Sequence, residues 1–417
     1  MTAQGGLRRE LGTFDATAIG LGSMLGAGVF AAFGPAAALA GPWLLVSLVL
    51  AGAVAYCNAV ASAALAARYP HSGGAYLYGR RELGEWAGFL AGWGFVTGKS
   101  ASCAAMALTF ARYVAPEAAV PVAIAAVAGL TAVNLFGVAR TAFATKVLVA
   151  VVLVVLAFAT AAGLSVHVAP ATTADDGAGP PWPGTLSAAG VLFFAFAGYA
   201  RIATLGEEVR DPRRTIPRAI LGALAGALAV YAVLAVVLLR GLGPAQLAGS
   251  AAPLADLVAP LGGWARALVG FGAACACLGA LLALVAGIGR TSLAMAREGD
   301  LPRPLASIGA RHSVPWVAEL AAAAVVVVVL VATSDLLTVV SFSGFGVLVY
   351  YAVANAAAFR LGARPGYAPR WLAATGFAGC VILTVTLPWR SVLAMAAVLA
   401  AGLLARAAVL ALRRRRG

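Results

Sequence analysis

Charge is scarce in this chain. Acidic and basic residues make up 11% of its 417 residues and hydrophobic residues 62%, and the mean hydropathy is +0.95. A water-soluble fold of this length has no means of hiding so much apolar surface, so the chain reads as an all-α integral membrane protein that crosses the bilayer many times. Histidine is scarcer still. His71, His167 and His312 fall in separate loops, and the five cysteines (Cys57, Cys103, Cys275, Cys277 and Cys380) sit inside apolar runs. Cys275-Ala276-Cys277 is spaced too tightly for the usual zinc pair, so no metal site and no cofactor is expected. A phosphate-binding Gly-Lys-Ser/Thr loop is missing from the polar segments, and Gly98-Lys99-Ser100 lies inside an apolar run, which argues against an ATP-driven pump. No cluster of acid, base or metal ligands inside the runs supports an embedded enzyme. Nor does any ring of like groups support a conducting pore.

Carboxylates are outnumbered: 15 Asp and Glu against 29 Lys and Arg, for a net charge of +14. The location of that charge excludes nucleic acid as the partner. At roughly 20 residues per crossing, the apolar runs divide into about twelve spans, at 14–38, 43–67, 84–113, 119–137, 144–165, 185–205, 216–239, 262–289, 315–333, 336–359, 369–388 and 390–411. The basic loops at 8–9, 68–81, 140–146, 210–218, 290–311, 360–370 and 413–416 then all fall on the side of the N-terminus. The opposite loops hold Glu117, Asp175, Asp176 and Asp335, with isolated Arg112, Arg240, Arg266 and Arg390. Positive loops mark the cytoplasmic face. Both termini are therefore expected in the cytoplasm, with the basic C-terminal end against the inner leaflet of the cytoplasmic membrane. The stretch 169–184, rich in Pro, Gly and Asp, reads as the longest external loop. Residues 1–10 are short and polar, with no signal-peptide cleavage pattern.

The first apolar run is interrupted in its middle by Gly22-Ser23-Met24-Leu25-Gly26-Ala27-Gly28. Glycine frees the backbone from helical geometry and lets a ligand approach it. Small residues also serve plain tight packing between helices, so this segment alone leaves two readings open. The sixth run carries a second interruption, Phe193-Phe194-Ala195-Phe196-Ala197-Gly198-Tyr199, followed by Arg201. Spans one and six are the first members of two five-span units, 14–165 and 185–359. An odd-numbered unit forces the second copy to lie inverted in the membrane. Interruptions at matching places in two such halves point to a transport site at mid-membrane. The last two spans, 369–411, lie outside this repeat, and residues 1–417 form one polytopic domain.

These stretches, with Glu207-Glu208-Val209-Arg210-Asp211-Pro212-Arg213-Arg214-Thr215-Ile216-Pro217 after span six, Arg290-Thr291-Ser292-Leu293-Ala294-Met295-Ala296-Arg297-Glu298-Gly299-Asp300-Leu301-Pro302 after span eight, and Arg68-Tyr69-Pro70-His71-Ser72-Gly73-Gly74-Ala75-Tyr76 after span two, resemble the amino acid–polyamine–organocation superfamily of permeases. The resemblance covers nearly the whole chain in matching order. It implies a 5+5 inverted-repeat fold with broken helices 1 and 6, and transport of amino acids or related amines. Carried over, it implies a substrate carboxylate on the amides of Ala27 and Gly28, at the break that includes Gly26. It places the substrate amine on the carbonyls of Met24, Phe194, Ala195 and Ala197, beside Gly198, with Phe194 as a gate. Anion binding at the start of the outer half-helix is physically sensible, because free N–H groups and the helix dipole both favour it.

The chain departs from the superfamily at two places. Many members carry a Glu where this chain has Ala200, followed by Arg201, and a span-five lysine where it has Val151 or Val152. Two cations instead lie within spans, Lys99 in span three and Arg201 in span six, and intramembrane charge is by default functional. Lys99 reads either as a coupling group, responsive to protons or a fixed cation, or as a lysine held by backbone carbonyls. Arg201 reads either as part of the gate or as a structural partner of Glu207 or Glu208. No carboxylate falls near mid-site, since Asp15, Glu82, Glu85, Asp256 and Glu319 lie towards span ends. A buried charge needs a partner, so a neutral amino acid is the expected substrate; an acidic one paired with Arg201 or Lys99 stays open, and the alternatives are a polyamine or other organic amine, or a non-pumping sensor or channel.

Overall fold

The structure, a computed structural model, describes residues 11–70, 73–136, 142–165, 181–203, 209–309 and 314–416. Among these residues the fold is helical apart from one isolated bridge, Leu11 to Val209. The helices are α1 (Thr13–Met24), α2 (Ala27–Ala31), α3 (Phe33–Ala40), α4 (Leu44–Arg68), α5 (Gly74–Glu82), α6 (Glu85–Val114), α7 (Ala119–Leu135) and α8 (Ala142–Ser165). They continue as α9 (Trp182–Phe196), α10 (Ala200–Ala203), α11 (Pro212–Gly249), α12 (Pro253–Leu257), α13 (Gly263–Arg297), α14 (Trp316–Ala332), α15 (Leu336–Arg360), α16 (Arg370–Thr386) and α17 (Trp389–Arg416). Each apolar run read from the sequence is helical over most of its described length. Nine helical stretches of the described residues are long and apolar enough to cross a membrane, and α14 and α16 are shorter apolar helices.

Small residues set the helix spacing. Association inside a membrane relies on close backbone approach rather than on a hydrophobic drive, and α6 packs most extensively on α15. Gly94 and Gly98 of α6 face Gly346 of α15 so closely that a Cβ on Gly346 would stand 2.6 Å from the Gly94 carbonyl oxygen and 2.9 Å from the Gly98 Cα. A turn further on, the Ser102 and Ser343 hydroxyls share a 2.6 Å hydrogen bond. Valine and leucine side chains such as Val154, Val328, Val331, Val385 and Leu404 stand exposed on the periphery, where lipid rather than water is the compatible neighbour. The long α11 bends at Gly243 (φ 72°, ψ 162°), because Pro244 beside it disfavours helical angles in the preceding residue.

Loops expected on one side of the membrane meet at one end of the bundle. Asp300 accepts from Arg80 at 2.9 Å and from Tyr76 at 2.9 Å, and it pairs with Arg406 of α17 at 2.8 Å. Arg80 also reaches Glu298 at 3.3 Å, and Arg406 reaches Glu85 at 3.3 Å. The Asp300 and Arg406 side chains are only 3% and 4% exposed. Burial, then the Asp300 carboxylate beside it, pushes the Tyr76 hydroxyl above the ordinary tyrosine range. Arg406 is a buried cation within the expected last span, where sequence reading had singled out only Lys99 and Arg201.

Candidate functional site

Both expected interruptions are present, and they face each other. Helix α1 stops at Met24, Leu25 and Gly26 leave helical geometry, and α2 restarts at Ala27. Ala32 keeps right-handed angles (φ −81°, ψ −25°) and hydrogen bonds run through it, so α2 and α3 form nearly one rod, the second half of the broken helix. Helix α9 stops at Phe196, a tight 3-10 turn spans Ala197–Tyr199, and α10 follows. A Cβ on Gly198 would stand 2.5 Å from the Ser23 carbonyl oxygen, and one on Gly28 would stand 2.6 Å from the Ala195 Cα. A Cβ on Gly26 would meet that of Ala280 in α13 at 2.7 Å. The glycines thus let the two unwound stretches touch, so close packing and loss of helix coincide.

Unwinding strips carbonyls of their helical partners, and the fold supplies others. The Tyr231 hydroxyl of α11 donates towards the Met24 carbonyl at 2.6 Å and the Ala195 carbonyl at 3.0 Å. The Phe194 carbonyl accepts the Ala197 N–H. The Ala197 carbonyl accepts from Lys99 Nζ at 3.2 Å and from the Tyr351 hydroxyl at 3.5 Å. Every carbonyl expected to receive a substrate amine therefore holds a partner from the chain itself. Tyr231 and Tyr351 were not picked out in the sequence. The signal lay in their hydroxyls, since a phenol at membrane depth needs a hydrogen-bond partner.

A cavity of about 280 Å³ opens beside the breaks. Ser23, Lys99, Ala197, Gly198, Ala200 and Arg201 line its inner end, and Gly73, Tyr76, Arg290 and Arg297 line it towards the Asp300 cluster. Met24, Gly26, Gly28, Phe194 and Ala195 are buried behind that surface and are not among its lining. Ala27 opens α2, and Glu207 and Glu208 lie outside the described residues. Among the described lining residues four are basic and none is a carboxylate. Asp256 accepts from the Ser250 hydroxyl at 2.5 Å, and Glu319 is 2% exposed with its Oε2 unpaired among the described residues. Three other acids are engaged away from the cavity. Asp15 pairs with Lys146 at 2.6 Å, Glu82 accepts from the Tyr69 hydroxyl at 2.6 Å, and Glu85 belongs to the Arg406 cluster. No three His, Cys, Asp or Glu of the described residues come together as a metal site, and His71, His167 and His312 lie outside those residues.

Residues 11–404 match the sequence pattern of the family described as amino acid permease. Over 400 residues, 96% of this chain and 91% of the relative, the sequence is 55% identical to an uncharacterized transporter of Mycobacterium tuberculosis. It is 28% identical to the branched-chain amino acid permease BcaP of Bacillus subtilis, over 75% of this chain and 72% of that protein. It is 29% identical to the human cationic amino acid transporter 4, over 84% of this chain and 59% of that protein.

Proposed function

The chain belongs to the amino acid permease family, and from that premise we propose that it moves amino acids with neutral side chains across the cytoplasmic membrane by alternating access. One observation carries the reading: the cavity ends where the two broken helices touch through glycine, on Ser23 beside the first break and on Ala197 and Gly198 of the second. Irregular backbone at membrane depth is tolerated only where protein buries it or a cavity wets it, and broken helices are how secondary transporters build substrate sites. A volume of about 280 Å³ sits just below the range of about 300–1,000 Å³ usual for small-molecule sites, as suits an amino acid. The basic lining without a carboxylate disfavours a cationic side chain, which would be buried without a counter-charge. The substrate carboxylate is assigned to the first amides of the α2–α3 rod. Rocking of one five-helix unit against its inverted counterpart exposes the site to each side in turn, with both termini in the cytoplasm and Arg201, Glu207 and Glu208 at the inner gate.

The test is uptake by purified protein in liposomes across a panel of amino acids, with and without the same amino acids inside. Saturable flux of leucine or alanine, inhibited poorly by arginine, is expected. Stronger competition by arginine than by leucine and alanine would reject the neutral assignment, and flux of a polyamine alone would replace the substrate class.

A further inference from the structure

Lys99 is buried in the middle of α6, 6% exposed, and its amino group donates to the carbonyl of Ala197, a residue of the α9–α10 break that lines the cavity. A carbonyl oxygen has two lone pairs. The Ala197 carbonyl accepts from Lys99 Nζ at 3.2 Å, and the Tyr351 hydroxyl stands 3.5 Å from it. The other carbonyls that the resemblance assigns to the amine, Met24, Phe194 and Ala195, hold Tyr231 or a backbone N–H and are set back from the cavity. Of these four carbonyls, Ala197's is the one whose residue borders the cavity, and an ammonium arriving there meets Lys99 already bound to it. Among the described residues no carboxylate pairs with Lys99, and the acceptor of its head there is the Ala197 carbonyl. Its four-carbon stem is flexible and its donors rotate freely, so the head can leave without rearranging the helix.

We propose that Lys99 is a tethered stand-in for the substrate ammonium: its head occupies the Ala197 carbonyl while the cavity is empty, and a substrate amine gains that carbonyl only by displacing it. The proposal rests on the reading of the chain as an amino acid transporter, and it deepens that reading by assigning the amine subsite. Two consequences follow. In the wild type the amine contributes little net affinity, because each hydrogen bond it makes replaces one that Lys99 gives up. The empty carrier also keeps its unwound carbonyl satisfied, which lets it cross back unloaded and supports net uptake.

The test compares leucine with 4-methylpentanoate, and alanine with propanoate, as competitors of amino acid binding to the purified full-length protein. In the wild type each amine-free acid should compete within about tenfold of its amino acid. This arm needs no variant, and a loss above about a hundredfold would overturn the stand-in. Lys99→Met keeps the length and removes the donor. It should tighten the better amino acid severalfold, widen its preference over the amine-free acid at least tenfold, and slow net uptake more than exchange. Lys99→Arg should restore the wild-type preference. A Lys99→Met protein that elutes as the wild type but shows an unchanged preference would show that Lys99 is merely structural. No flux or binding of any amino acid by the wild type would overturn the transporter reading and the stand-in together. Normal flux with an unchanged preference in Lys99→Met would overturn the stand-in alone.

Discussion

At the scale of single residues, the site is made by atoms that are missing. Gly198 has room for a hydrogen and nothing more, because the Ser23 backbone stands where a Cβ would go. Backbone cannot rotate aside as a side chain can, so Gly198→Ala should cost about 1–3 kcal/mol of stability, as overpacking does, and reduce transport at least tenfold. Gly129→Ala is the control, since nothing lies within 4 Å of its added methyl, and melting temperature and uptake of both variants check the pair. Tyr231 closes the same junction from the other side. One hydroxyl proton serves two carbonyls, at Met24 and Ala195. Tyr231→Phe keeps the ring, which packs edge-on against Phe33 and Phe196, but leaves both carbonyls without that donor. A buried acceptor left unpaired costs about 1–3 kcal/mol, so the variant should melt several degrees lower and transport several-fold more slowly. Wild-type melting and uptake in Tyr231→Phe would mean that the hydroxyl does not brace the breaks.

At the scale of elements, helix identity was legible and helix partnership was not. Apolar length alone marks a span, and glycine in the middle of one marks a break, because both signals are local in the chain. The sequence could therefore place the interruptions at Gly26 and Gly198. It could not show that Gly198 presses on Ser23, or that Lys99 of α6 reaches Ala197, since those pairings arise only when distant helices pack. Arg406 is the clearest case. In the sequence it is one arginine in the last apolar run, whereas in the fold it lies 2.8 Å from Asp300 and stacks on Trp86 and Phe89. It ties α17 to the start of α6 and to the loop after α13. Breaking a buried pair strands its partner charge and costs about 3–5 kcal/mol, more than the pair itself contributes. Arg406→Leu should therefore lower the melting temperature clearly. Adding Asp300→Asn should cost less in the Arg406→Leu background than in the wild type, because the stranded carboxylate is removed. Additive effects in that double-mutant cycle would contradict the coupling.

At the scale of the whole molecule, the packing brings together segments that the alternation of basic loops assigns to one side. Asp300, Arg80 and Arg406 lie in or beside segments assigned to one side and meet at one end of the bundle. Arg112 meets the Ser334 carbonyl at 2.6 Å, joining two segments assigned to the other side. Reporter fusions after Gly417 should accordingly read as cytoplasmic, and a tag inserted within 169–184 as external. The opposite result for either one would invert or break the twelve-span arrangement. The central claim is that the cavity at the two breaks is where substrate binds. It is tested most directly by placing a cysteine at Ser23, a residue of the cavity lining, in a protein freed of its five native cysteines, and following its labelling by a small thiol reagent. Labelling that a transported neutral amino acid slows in proportion to its occupancy is the predicted result. Labelling at Ser23→Cys that saturating substrate leaves unchanged, in a variant that still transports, would contradict the account.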